Sequence, residues 1–199
     1  MEQPPRPRYR VSPERAALTV EGYNWAPPFS NFLPGIAGPW GKPMWVFYVS
    51  RGQAVISAGV RDKNGQMLEF QSFNQALARV ELEGFRTFLR LDGGPVHEPF
   101  RKRASSAHVR QELTVAPAEL VLRERNQRLG IEIEVVTFTV PGQPWAMLLR
   151  QVTVRNLRRS ARHLEWLDGA ARVLPFGLDQ QRIKGIPRHI EAMMGVARV

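Results

Sequence analysis

Alternation with a period of two limits this chain more than any other feature. The clearest example is Gly130-Ile131-Glu132-Ile133-Glu134-Val135-Val136-Thr137-Phe138-Thr139-Val140, rich in β-branched residues and closed by Pro141-Gly142. Alternate side chains of an extended strand point to opposite faces, so this pattern buries one face and solvates the other. Similar runs recur at Met44 to Ser50, Gln53 to Val60, Gln66 to Phe70, Phe85 to Leu91, Val109 to Val115, Glu119 to Arg125 and Trp145 to Arg155. Turn chemistry separates them: Arg51-Gly52, Asp62-Lys63-Asn64-Gly65, Asp92-Gly93-Gly94-Pro95 and Ala116-Pro117. About ten short strands spaced in this way predict an antiparallel β-sandwich. Arg162 to Asp168 reads as the return strand of a hairpin begun by Trp145 to Arg155. The one helical pattern is Pro187 to Ala197, with Pro187 at the first turn and Ile190, Met193, Met194 and Ala197 on one face.

Two segments break the rhythm. Gly22 to Pro43 holds Pro27, Pro28, Pro34, Pro39 and Pro43 together with Trp25, Trp40, Tyr23, Phe29 and Phe32. Proline at that density stops helices and interior strands, and the aromatics argue against a flexible linker. The segment therefore reads as an ordered loop packed on the sandwich. At the N-terminus, the proline- and arginine-rich residues 1–15 read as a disordered leader, with 16–199 as one β-sandwich domain. The last residues, Glu191 to Val199, end on an apolar note and read as a domain cut short.

Composition narrows the function classes. The chain of 199 residues has no Cys, which removes disulfides, thiolate nucleophiles and Cys-ligated zinc, and makes a reducing cytoplasm the expected compartment. No apolar run reaches the roughly 18 residues of a membrane span, so no membrane partner is expected. The formal net charge is +10, and lysine occurs only at positions 42, 63, 102 and 184, so arginine supplies most of the 28 basic residues. These arginines are spread along the whole length, which favours a solvated basic shell over a nucleic-acid surface.

Motif by motif, catalysis finds little support. Around Gly41-Lys42, a phosphate loop would need Gly at Ile36 and Ser or Thr at Pro43. There is no Gly-x-Ser-x-Gly elbow, and His97, His108, His163 and His189 fall in different elements, so neither a metal nor another cofactor is expected. The acid pairs are Glu132/Glu134, a solvated face matched by Arg150 or Arg155, and Glu165/Asp168 beside Trp166. A saccharide platform is the alternative that the aromatics suggest: Trp25, Trp40, Trp45 and Tyr48 supply stacking rings near the polar groups of Asn24, Asn31 and Arg51. The competing reading makes these rings the private core of the loop.

The string from Phe32 to Val49 (FLPGIAGPWGKPMWVFYV), with Arg51-Gly52-Gln53, Gly84-Phe85-Arg86-Thr87-Phe88, His97-Glu98-Pro99-Phe100-Arg101 and Arg188-His189-Ile190-Glu191-Ala192, resembles the start of large bacterial cellobiose phosphorylase-like proteins, glycoside hydrolase family 94 and relatives. The likeness runs from about Tyr23 to Glu191. It implies an N-terminal β-supersandwich preceding an α/α barrel that binds disaccharide and phosphate. It also implies that the acid and the phosphate-binding groups belong to the barrel, so no catalytic residue is carried onto this chain. The chain is then expected to be non-catalytic alone, with the barrel as partner, dimer contacts through the sandwich, and the loop from Asn24 to Tyr48 as its functional surface.

Overall fold

The computed structural model describes residues 6–33, 37–104, 106–175 and 177–185. Among these, the first half of the chain forms β1 (Arg8–Ser12), β2 (Ala17–Glu21), β3 (Ser30–Leu33), β4 (Met44–Val49), β5 (Val55–Val60), β6 (Gln66–Leu68), α1 (Phe73–Arg79) and β7 (Phe85–Leu91). The second half forms β8 (Val109–Val115), β9 (Glu119–Asn126), β10 (Ile131–Thr139), β11 (Leu148–Asn156), β12 (Leu164–Ala170) and α2 (Gln180–Gly185). The strands make a six-stranded sheet in the order β1-β2-β8-β9-β10-β11, a four-stranded sheet β3-β4-β5-β6 and the pair β12-β7. All pairings are antiparallel, as the alternation predicts.

Parity explains the layers. Leu113, Leu120, Leu122, Ile131, Ile133 and Val135 project from the six-stranded sheet onto Val46, Tyr48, Val55 and Ala58 of the four-stranded sheet and Leu89 of β7, forming the principal core. The outer side of β4 and β5 is covered too: Phe47, Val49 and Ile56 meet Ala76 and Val80 at α1. Covering on both faces is why β4 and β5 read as nearly continuous apolar runs while β10 alternates cleanly.

Several expectations change. Within the expected leader, Arg8 to Ser12 forms an edge strand in register with β2, Arg8 opposite Glu21 and Ser12 opposite Ala17. Prolines flank this stretch without interrupting it, which leaves its backbone free to pair. The Pro-rich loop contains a short edge strand, β3, paired to β4. A further helix, α1, carries the capping pair Ser72 and Gln75, with the Ser72 N–H donating to Gln75 Oε1 at 3.2 Å, and Phe73, Ala76, Leu77 and Val80 on one face. The expected helix Pro187 to Ala197 lies outside the described residues; within them, α2 is the short helix nearest the C-terminus.

The largest correction concerns β12. It pairs with β7, Leu164 opposite Leu91 and Ala170 opposite Phe85, and not with β11. Asp92, just after β7, captures the incoming chain: Asp92 Oδ1 accepts from the His163 N–H at 2.8 Å and Oδ2 pairs with Arg162. Turn residues after β11 signal a reversal, but the partner is chosen by this long-range capture.

Candidate functional site

The residues singled out for a saccharide platform fall into different environments. Gly22, with φ of 64°, turns the chain out of β2 and into a 3-10 turn at Tyr23–Trp25. Asn24 is fully buried there; its Nδ2 donates to Phe100 O at 2.9 Å and to Gln111 Oε1 at 2.8 Å, while Oδ1 accepts from the Gly52 N–H at 2.9 Å. Tyr23 donates its hydroxyl to Gly52 O, and burial, reinforced by the nearby Glu124 charge, holds that phenol well above its ordinary pKa. Arg51 donates to three backbone carbonyls, Tyr23 O at 2.9 Å, Ser50 O at 2.6 Å and Ala26 O at 2.7 Å, and burial lowers its pKa. Asn24 and Arg51 thus latch the loop to the β4–β5 hairpin.

The aromatic members are separated. Tyr48 is buried, its phenol pKa raised by burial, and it lines a cleft of about 440 Å³ with Phe29, Asn31, Phe32, Leu18 and Val115. Asn31 is exposed, and its Oδ1 accepts from the Phe32 N–H at 2.8 Å. Trp45 is half-buried; its Nε1 donates to Asp62 O at 2.9 Å and its ring stands edge-on to Phe70 at 5.7 Å. Trp25 carries Lys102 Nζ 4.4 Å from its ring centroid. Trp40 is 84% exposed. Asn31 and Tyr48 share one cleft, Asn24 and Arg51 share one latch, and the Trp25 ring stands against Lys102. Trp40 and Trp45 belong to neither.

Buried polar chemistry lies elsewhere. Glu124, fully buried on β9, has Oε1 2.7 Å from His97 Nε2, while Oε2 accepts from the Phe100 N–H at 2.5 Å and from Gln111 Nε2 at 2.9 Å. Gln111 also donates to Arg101 O at 3.1 Å, so Asn24, Gln111 and Glu124 form one chain of hydrogen bonds tying the loop at 97–101 to the six-stranded sheet. Each oxygen of that carboxylate is occupied by a partner from the protein, an arrangement that holds structure in place.

A second polar junction centres on Arg150, expected on an outward face beside Glu132 or Glu134 and found inside. Its side chain is 5% exposed and bonds Asp168 Oδ1, Gln53 Oε1 at 2.7 Å and Thr87 Oγ1 at 2.8 Å. Burial lowers the Arg150 pKa against the opposing pull of Asp168. Glu132 and Glu134 are instead held by Arg155 and Arg123. Asp168 and Glu165 are three residues apart on one strand and so face opposite sides: Asp168 meets Arg150 and Thr87, Glu165 meets Arg90. This pair does not flank a common substrate position. Among the described residues no group of three or more His, Asp or Glu side chains is placed to hold a metal ion, and no helix is long and apolar enough to cross a membrane.

One surface stands out for its apolar character. Among the described residues β11 and β12 each pair on one side only, and Arg150 with Asp168 joins them across the interior, so both sheets end on the same flank. On β12, Leu164, Trp166 and Leu167 are exposed, Trp166 by 53% and Leu167 by 69%. A shallow cleft of about 470 Å³ runs along it between Phe88, Val96, Trp166 and Leu167. Sequence reading placed Trp166 beside an acid pair and missed the flank, because exposure follows from which strand ends a sheet.

No family model matches the chain, and no curated protein matches it.

Proposed function

We propose that this chain is the non-catalytic N-terminal β-sandwich domain of a carbohydrate-active enzyme of the cellobiose-phosphorylase type, working in the cytoplasm. Phosphorolysis of a β-glucoside is performed by an α/α-barrel partner, and the sandwich positions that partner. The observation that carries the reading is the β11–β12 flank. Two strand edges without a partner among the described residues, and Trp166 and Leu167 exposed beside a shallow cleft, make a surface of the kind that a second domain covers. The interior carboxylates support it as well, because Glu124 and Asp168 are engaged with the protein's own donors. Phosphorolysis needs an acid free to protonate a glycosidic oxygen.

The experiment is a phosphate-dependent assay with cellobiose. Purified chain alone releases no sugar phosphate, whereas measurable turnover, abolished by substitution of a residue of this chain, overturns the reading.

A second reading, a stand-alone carbohydrate-binding module, is favoured by Trp40, the most exposed large aromatic side chain among the described residues. Glucan-affinity electrophoresis tests it: retardation lost on Trp40→Ala supports the module, and free migration through every glucan removes it.

A further inference from the structure

Read along the chain, the arginines are dispersed, which is why the sequence alone favours a solvated shell. Strand pairing brings three of them into one row. Across the outer face of the six-stranded sheet, Arg110 of β8 stands opposite Arg125 of β9, Arg125 opposite Glu132 of β10, and Glu132 opposite Arg155 of β11. These side chains leave the core side because their neighbours in each strand, Gln111, Glu124 and Ile133 among them, are buried. Neighbouring strands are about 4.8 Å apart, so the row spans on the order of 15 Å.

Charge in this row is unbalanced. Its one carboxylate, Glu132, is 3.3 Å from Arg155 Nη1, while Arg110 and Arg125 have no ion-pair partner among the described residues. Like charges directly opposite on adjacent strands repel. In the next row the signs alternate: Glu112 stands opposite Arg123, and Arg123 opposite Glu134, to which its Nε donates at 3.1 Å. The turn between β9 and β10 adds further positive charge beside the first row. Arg128 is exposed in it, and Arg158 lies over Gly130, where a Cβ would stand 2.2 Å from the Arg158 Nε. An anion supplied from outside the chain would relieve the repulsion between Arg110 and Arg125.

We propose that this row binds the sugar–phosphate backbone of a double-stranded nucleic acid without reading its sequence. Guanidinium forks match phosphate oxygens in pairs, and the chain as a whole carries a formal net charge of +10. The row contains no aromatic side chain, so unpaired bases have nothing in it to stack on. It also lacks the apolar centre that protein interfaces bury, being charged from end to end. This inference does not rest on the reading of the chain as an enzyme domain, and either can fail without the other.

Fluorescence anisotropy of the full chain with labelled duplex DNA and duplex RNA of arbitrary sequence, titrated across about 50 to 200 mM salt, tests it. Binding to at least one duplex is expected, its log affinity falling against log salt by about 0.9 per phosphate contacted. Arg110→Gln with Arg125→Gln should make that slope shallower by about 2 and weaken binding at the lowest salt by about tenfold or more. Because this double variant removes a repulsion, its melting temperature should not fall; if it does, Arg110→Gln alone is measured, with a slope shallower by about 1. Arg61→Gln with Lys63→Gln takes the same charge from the exposed β5–β6 turn of the other sheet and should leave the slope unchanged. No binding to either duplex at the lowest salt, equal slopes for the two double variants, or tighter binding to a single strand overturns the proposal. Displacement of the duplex by polyglutamate at equal charge also overturns it, by pointing to an acidic protein.

Discussion

Arg150 and Asp168 meet inside the sandwich, the guanidinium Nη1 on the carboxylate Oδ1, although their strands belong to different sheets. Thr87 and Gln53 complete the junction, so one cation ties β11, β12, β7 and the β4–β5 hairpin together. Removing one member of such a buried pair leaves the other desolvated and unpaired. Arg150→Ala is expected to lower unfolding free energy by about 3 kcal/mol, toward the lower end of the range for buried pairs because Asp168 is partly exposed. Arg150→Met with Asp168→Leu should recover part of that loss. Urea unfolding of the two variants and the wild type is the measurement, and equal stability of Arg150→Ala and wild type would contradict the assignment.

Gly59 sits against the ring of Trp45. A Cβ placed there would stand 2.5 Å from Cζ2 of the indole and 2.7 Å from Gly65 O. Gly59→Ala must therefore displace the ring or the backbone, at about 1–3 kcal/mol for overpacking. The expected result is a lower melting temperature together with loss of the 2.9 Å bond from Trp45 Nε1 to Asp62 O, seen as a shift of that indole N–H resonance.

The carboxyl of Asp92 is held below its ordinary pKa of 3.8, first by the His163 N–H and then by Arg162. A group whose folded pKa is depressed contributes stability that is fully present above its unfolded pKa. That contribution is lost as pH falls through the folded value. Asp92→Asn should thus flatten the decline of melting temperature below about pH 4 and leave its slope at neutral pH unchanged. Parallel acid limbs in variant and wild type would remove Asp92 from the acid response.

On the flank, Trp166→Ser with Leu167→Ser removes exposed apolar surface without opening a cavity. Stability should change by no more than about 0.5 kcal/mol per site. Binding of a hydrophobic dye such as bis-ANS should drop markedly, as fluorescence titration will show. Unchanged dye binding would mean that the flank is not the apolar surface accessible in solution.

The all-β class and most hairpins were legible because both depend on local patterns. Alternation marks β8, β9 and β10 most clearly, and Arg51-Gly52, Ala116-Pro117 and Pro141-Gly142 mark reversals that the structure places between adjacent, paired strands. Helix α1 was equally legible through Ser72, Gln75 and its apolar face. The saccharide candidates were chosen by residue type and nearness in sequence. Asn24 and Arg51 show the limit of that reasoning, since a polar side chain near Trp residues serves equally as a buried latch. Two interior charges did leave a trace: Arg150 shares its parity with Leu148, Val152 and Val154, and Glu124 shares its own with Leu120 and Leu122. A charge interrupting an apolar face needs a buried partner, though parity cannot name that partner.

By itself, then, the amino-acid sequence determined most of the strands, though not β1 or β3, together with their apolar faces and the tight turns between neighbours, since a two-residue period and turn chemistry act over a few bonds. Tertiary structure alone decided that β12 joins β7 and that Arg150 finds Asp168. Those outcomes depend on contacts between segments tens of residues apart, where hydrogen-bond satisfaction and packing in three dimensions select among pairings that the local pattern leaves equivalent.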